Sequence, residues 1–210
     1  MTRTKIAKLY LVALGSLCIA SSCDMACQDP VGTIQGMVES MMSVLGDKCQ
    51  VSAKKAVIEE VVEERFIPSV DIDLITKQVL GRRYWEESSE GDKKSLKALL
   101  EQLLAKQYAE AFSCEHIGKE MRFFPVRGEV KKYSRVESSI ALDEKTLTLV
   151  KYNVRCNEGQ WLIYDIIVDG LSLGQTYRSQ FNRVLQQGGI KALINYLDQK
   201  LNKVVDEVSS

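Results

Sequence analysis

The chain has 210 residues, of which 45% are hydrophobic and 27% are charged, with three prolines and 13 glycines. This composition is typical of a globular protein of ordinary domain size with a real core, and it argues against a long disordered linker. The formal net charge is +0.

The first 22 residues have the pattern of an export signal. Three basic residues precede an uncharged apolar run of 12 residues over 9–20, and small residues follow. A bilayer-spanning helix needs about 20 apolar residues, so this run is too short to be one. We predict an export signal over 1–22 and a single mature domain over 23–210. Without the signal, 25 basic residues stand against 28 acidic ones, and the net charge becomes −3. This charge argues against nucleic acid as the main partner, because such binding depends on a strongly basic surface.

The cysteines raise two separate questions. Cys23 follows Ala-Ser-Ser, as in a bacterial lipobox, although Ala stands where Leu is usual. Lipidation of Cys23, which would anchor the protein to a membrane, and ordinary signal cleavage both stay open. An oxidising compartment allows disulfides, and we expect Cys114 to pair with Cys156, because they end a predicted helix and a predicted strand. The cysteines lack the paired short spacings of zinc sites, so we expect no metal.

Apolar residues recur every three or four positions along much of the chain, which is the spacing of amphipathic helices. The spacing predicts helices over 31–45, 51–66, 71–80, 93–116, 176–187 and 190–205. Gly46 and Gly81 are expected to end the first and third helices, and Asp71 to cap the third. The helix over 93–116 carries one wide apolar face.

Between the fourth and fifth helices the pattern changes to β-branched and aromatic residues. Strands are predicted over 122–125, 130–142, 146–156 and 160–168, with hairpin-type breaks at 143–145 and 157–159. Sequential strands joined by short turns form antiparallel sheets. We therefore expect an α+β fold: a twisted antiparallel sheet of about four strands, wrapped by N-terminal, central and C-terminal helices and enclosing a hydrophobic pocket.

Two segments carry a resemblance to a known family. Residues 66–85 contain Pro68 followed by Val-Asp and later by Leu-Gly-Arg, and residues 161–181 contain Trp-x-x-Tyr-Asp-Ile, then Asp-Gly-Leu-Ser and Tyr-Arg-Ser-Gln-Phe. In this order, and with these surrounding elements, the mature chain resembles the MlaC family, also called the toluene-tolerance auxiliary family.

The resemblance implies a periplasmic phospholipid carrier that moves lipid between the outer and inner membranes and maintains outer-membrane lipid asymmetry. The implied partners are phospholipid, an inner-membrane ABC transporter with an MCE-domain protein, and an outer-membrane lipoprotein–porin complex. No catalytic residue and no cofactor are expected. The family's pocket between sheet and helices suggests that the lipid is held by apolar side chains, namely Leu100, Leu104, Tyr108, Phe112, Tyr164, Ile166, Val168, Leu171, Leu173, Tyr177 and Phe181.

Two other functions stay open at this point. A curved sheet covered by helices also describes cone-shaped small-molecule enzymes, in which Asp165 would act as a general base and Tyr164 or Tyr177 would donate a hydrogen bond. The chain could also be a structural envelope lipoprotein that is anchored through Cys23.

The charged residues in the two family segments have simpler interpretations as well. Asp165 and Asp169 are expected to act as cap or turn ligands, with a salt bridge to Arg82 or Arg178 as the alternative. Arg82 and Arg83 are expected to be solvated, and contact with a lipid phosphate is the alternative, because guanidinium groups suit planar oxyanions.

Overall fold

The computed structural model describes residues 27, 29–51, 55–111, 114, 117–141 and 146–208. The predicted export signal, Cys23 and Phe112 lie outside these ranges. Within them, no helix combines the length and the apolar character that crossing a membrane requires.

In the described chain, six helical segments cover the sheet. They are α1 (Pro30–Val51), α2 (Lys55–Arg65), a short 3-10 turn (Ile67–Ser69), α3 (Ile72–Glu87), α4 (Glu90–Ala111) and α5 (Leu173–Val208). The expected end of α1 at Gly46 is wrong, since the helix continues to Val51. A helical glycine costs only about 1 kcal/mol, and the fully buried Met41 and Leu45 on the preceding turns hold α1 against the core.

Glycines interrupt two of these helices. Gly81 (φ 67°, ψ 172°) lies inside α3, and Gly189 (φ 65°, ψ −158°) follows Gly188 inside α5. Other residues rarely adopt these conformations. The breaks lie where the sequence places the end of the third helix and the division between the last two, although helix resumes at once after each. The Asp71 carboxylate caps α3 as expected, accepting the Leu74 N–H at 3.0 Å.

The strands form one antiparallel sheet in sequence order. They are β1 (Met121–Phe124), β2 (Tyr133–Ala141), β3 (Leu147–Asn157), β4 (Gln160–Val168) and β5 (Leu171–Ser172). The α+β prediction is confirmed, and the short β5 adds a fifth strand. The pairing of β3 with β4 slips by one residue, which leaves Tyr164 in a β-bulge with no residue opposite it.

The buried apolar residues form two clusters. The sheet-side core contains α1, α2 and the inner face of the sheet, with Val62, Phe66, Val136, Val154 and Ile163 at its centre. The helical core joins α3, α4 and α5 through Leu80, Leu96, Phe181, Leu193 and Leu197. Ile72, Ile75 and Tyr177 pack against both. We call the boundary between the two cores the seam.

Two disulfides link the described cysteines, Cys27–Cys156 and Cys49–Cys114, with Cα–Cα distances of 5.7 and 5.8 Å. The predicted pairing of Cys114 with Cys156 is therefore wrong. Cys156 on β3 lies beside the segment that precedes α1, whereas Cys114 follows α4 and lies against the last turn of α1. Because α1 was expected to end before Cys49, the sequence did not indicate that these two helix ends meet.

Candidate functional site

An apolar cavity lies on the seam. Its volume is about 30 Å³. The wall comes from both cores, since Leu100 and Leu103 belong to the helical core and Leu104 and Ile166 to the sheet-side core. The lining residues are Ile75, Val79, Leu100, Leu103, Leu104, Tyr108, Tyr164, Asp165, Ile166, Leu173, Gly174 and Tyr177.

Seven of the predicted lipid-binding residues come together at this cavity: Leu100, Leu104, Tyr108, Tyr164, Ile166, Leu173 and Tyr177. The first three follow one stripe of α4, because residues four apart lie on the same side of a helix. They meet β4 and the first turns of α5 across the seam. That these side chains bind lipid remains a prediction.

The structure places three other predicted residues elsewhere, and Phe112 is outside the described ranges. Phe181 is 0% exposed and lies within the helical core. Val168 packs against the sheet-side core without reaching the cavity. Leu171 is 72% exposed, on the short strand β5 at the edge of the sheet. The expectation that these three continue the cavity wall is corrected accordingly.

The prediction missed wall residues on α3 and α4. Ile75 and Val79 project from adjacent turns of α3, and Leu103 lies beside Leu104 on α4. The sequence contains a pattern that could have identified the two α3 residues. Ile75 and Val79 are four residues apart, which is helical spacing, and they precede Gly81, where α3 breaks.

The bulge in β4 changes which side chains face the core. Simple alternation would put Tyr164 on the same face as Ile166 and Val168. Instead Ile163 (2% exposed) and Ile166 (6% exposed) are both buried although they are three residues apart. Tyr164 lies at the boundary. It lines the cavity and also makes an edge-to-face contact with Tyr133, at 5.9 Å between ring centroids.

Asp165 ties the start of α5 to the sheet. Its carboxylate accepts hydrogen bonds from the Ser172 hydroxyl at 2.8 Å, the Gly174 N–H at 3.0 Å and the Asn153 side-chain amide at 3.4 Å. Two of these donors belong to the start of α5 and the third to β3. Asp165 is therefore a helix cap, which was the simpler of the two expectations, and its oxygens already have partners.

We expect Asp165→Ala to lower the free energy of unfolding by about 1 kcal/mol, because the Gly174 N–H in the first turn of α5 loses its acceptor while Ser172 still accepts the Gln175 N–H. Urea denaturation followed by circular dichroism measures this. Asp198→Ala, an exposed change on α5 that removes a 3.4 Å contact to Asn202, serves as the control and should stay within about 0.5 kcal/mol. Equal stability of Asp165→Ala and the parent protein would contradict the capping role.

The remaining charged candidates lie away from the cavity. Asp169 accepts the Leu149 N–H at 3.0 Å and so acts as a turn ligand. Arg82 and Arg83 form ion pairs with glutamates one turn along α3, and their side chains are 90% and 76% exposed. Such exposed pairs contribute little to stability. The positions support the solvated-surface interpretation of both arginines.

Tyr108 on the seam is held neutral. Burial raises the pKa of Tyr108 far above its ordinary value, and the neighbouring Tyr177 and Asp165 raise it further, because both would repel a phenolate. The cavity wall is thus apolar or neutral apart from the hydrogen-bonded carboxylate of Asp165. In the described part of the chain, no group of histidine, cysteine and carboxylate side chains is arranged to hold a metal ion.

Comparison with known proteins agrees with this architecture. The toluene tolerance protein ttg2D of Pseudomonas putida is 22% identical over 185 residues, which cover 88% of this chain and 83% of that protein. The solved structure of a phospholipid-binding protein from Ralstonia solanacearum, in complex with a phospholipid, superposes with a TM-score of 0.75 at 22% identity, over 85% of this chain and 99% of that one. The model of the MlaC protein family matches residues 35–199, and the chain therefore belongs to the MlaC family.

Proposed function

We propose that this protein is a periplasmic phospholipid carrier and that it holds the acyl chains at the seam. The observation that carries the proposal is the apolar cavity between the two cores, in a chain that belongs to the MlaC family. The complex of the Ralstonia solanacearum protein with a phospholipid supports it, because that protein has the same fold.

The energetics of lipid transfer suit an apolar, non-catalytic site. Two acyl chains contain about 30 methylenes, and removing each from water is worth about 0.8 kcal/mol. The sum, roughly 24 kcal/mol, exceeds the practical ceiling of about 18–21 kcal/mol for non-covalent affinity. A carrier, however, takes lipid from one bilayer and returns it to another, so its site needs only to match hydrocarbon. Neutral, apolar walls meet that need, whereas unpaired buried charges would not.

The cavity is too small for acyl chains unless its walls separate. We infer that the site widens along the seam, with the helical core moving away from the sheet-side core. Acyl chains would then pack against Ile75 and Tyr177 in place of the sheet-side residues. The free-energy cost of this change is low, because both side chains exchange one apolar neighbour for another. Neither α3 nor α5 carries a disulfide cysteine, so no crosslink holds them against the sheet.

Release into water would be prohibitively slow for such a ligand, so handover requires docking to a membrane partner. Family membership supports an inner-membrane ABC transporter with an MCE-domain protein and an outer-membrane lipoprotein–porin complex as the two partners. In this scheme the protein contributes to outer-membrane lipid asymmetry. It is not an enzyme: the carboxylate at the cavity, Asp165, caps α5 and would not serve as a general base.

The proposal is tested with protein purified from bacterial envelopes. Native mass spectrometry is expected to show a bound phospholipid. Leu173→Glu places a charge on the cavity wall, and lipid retention should fall more than about tenfold. Leu171→Glu, two residues earlier at a 72% exposed position, is the matched control and should retain lipid. A ligand-free mass for the unaltered protein, with no uptake from phospholipid liposomes, would refute the carrier function.

A further inference from the structure

A second depression, of about 430 Å³, lies on the outer face of the sheet. We call it the outer groove. It is formed by the loop that follows β1 and by outward-facing side chains of β2, β3 and β4. Its lining includes Arg127 from the loop and Tyr133, Arg135, Asn153 and Tyr164 from the strands. Tyr133 is 53% exposed, so the groove is open to solvent.

Tyr164 is a wall of both the outer groove and the seam cavity. It is the residue that the two spaces share, of which the cavity is mainly apolar and the groove is polar. The bulge places it there, since a regular strand would turn the side chain to one face only. A molecule with apolar tails in the cavity and a polar end in the groove would pass beside Tyr164.

The groove has positive charge available for an anion. Its carboxylates, Glu129 and Glu137, each already pair with a lysine, at 3.4 and 3.5 Å. Arg135 instead donates from Nε to the neutral side-chain oxygen of Asn153 at 2.8 Å. Across the described ranges, neither Arg135 nor Arg127 forms an ion pair with a carboxylate.

The charge of Arg135 also affects the pKa of the Tyr164 phenol. Burial raises the pKa of the Tyr164 phenol, while Arg135 opposes that rise because a cation favours the phenolate. The guanidinium and the phenol are therefore electrostatic neighbours at the point where groove and cavity meet.

We propose that the outer groove binds the phosphodiester of the lipid head group, with Arg135 as the principal phosphate ligand, and that Tyr164 moves aside to join the groove to the widened cavity. A guanidinium presents paired N–H donors that match phosphate oxygens. This assignment rests on the proposed carrier function. The class of ligand is a diacyl lipid with an anionic phosphate, as distinct from a fatty acid or a diacylglycerol.

The test compares dioleoyl phosphatidylglycerol with dioleoylglycerol, which has the same tails and lacks the phosphate. Retention of each after incubation with vesicles is measured by native mass spectrometry for the full protein. Arg135→Gln should retain about tenfold less phosphatidylglycerol, the usual effect of losing a charge-assisted hydrogen bond, with dioleoylglycerol unchanged. Arg135→Lys should lie between Arg135→Gln and the parent protein.

Arg122→Gln is the matched control. Arg122 is on β1 of the same sheet, 72% exposed and paired with Glu120, and it does not line the groove. It should behave as the parent protein does. If the parent protein retains phosphatidylglycerol and Arg135→Gln retains it equally, the head-group assignment is wrong while the carrier function stands. If the parent protein retains neither lipid, the carrier function fails first.

A free phosphate ester is the other source of this chemistry. Isothermal titration with glycerol 3-phosphate, in the absence of lipid, is expected to show no binding at millimolar concentration, because one exposed guanidinium binds weakly without the tails in place. Arg135-dependent binding of glycerol 3-phosphate together with unchanged lipid retention by Arg135→Gln would make the groove a site for soluble phosphate esters and overturn the proposal.

Discussion

Phe181→Ala is expected to lower the free energy of unfolding by about 3–5 kcal/mol. The ring is 0% exposed and stacks on Tyr177 at 5.6 Å between centroids, with Tyr196 at 6.4 Å on another side. Truncation would leave a hole among neighbours that α3, α4 and α5 hold in place. Urea denaturation followed by far-ultraviolet circular dichroism measures the loss.

Leu171→Ala is the control for this experiment, because the sequence assigns both residues to the lipid site. Leu171 is 72% exposed, so its truncation should change stability by less than about 0.5 kcal/mol. If Phe181→Ala changed stability only slightly and lost bound phospholipid, Phe181 would be a residue of the cavity wall. That result would contradict its position in the helical core.

Removing the Cys27–Cys156 disulfide by substituting alanine at both positions should also be strongly destabilising. The bond joins residues 129 apart in sequence, and Cys49–Cys114 joins residues 65 apart. The chain-entropy relation gives about 5 kcal/mol for the longer loop and about 4 kcal/mol for the shorter, at the upper end of the range measured for native disulfides. The comparison uses the urea midpoints of the oxidised parent protein, of the variant with alanine at Cys27 and Cys156, and of the variant with alanine at Cys49 and Cys114.

Peptide mapping under non-reducing conditions is the companion measurement. It should recover one crosslinked peptide containing Cys27 and Cys156 and another containing Cys49 and Cys114. A peptide that joins Cys114 to Cys156 would restore the pairing expected from the sequence. A double variant whose urea midpoint equals that of the parent protein would show that the corresponding bond does not restrict the unfolded chain.

Features encoded by local spacing could be predicted from the sequence. The stripe of Leu100, Leu104 and Tyr108 and the alternating segments of the meander follow the periods of helix and strand. The breaks at Gly81 and Gly189 also followed from residue type, because few other residues adopt a positive φ.

Features that depend on contacts between distant elements could not be predicted. Which cysteines pair depends on the last turn of α1 meeting the end of α4, and no local pattern records that meeting. The bulge at Tyr164 is similar, because one extra residue in β4 changes the face on which a tyrosine lies. The largely apolar run over 161–168 has no alternation that would reveal the change. The same limit applies to Phe181, since Tyr177 and Phe181 share one helix face and only the neighbouring helices decide which of them reaches the cavity.

The glycine breaks have a mechanical consequence. Two helical segments supply four of the residues that line the cavity. The part of α3 before Gly81 supplies Ile75 and Val79, and the part of α5 before Gly189 supplies Leu173 and Tyr177. Each segment ends at a glycine with positive φ. In the widening proposed above, rotation at Gly81 and Gly189 would move these two segments without unfolding either helix, because glycine tolerates the change in backbone direction. The hydrogen bonds that join the Asp165 carboxylate to Ser172 and Gly174 at the start of α5 would have to break for that segment to leave the sheet.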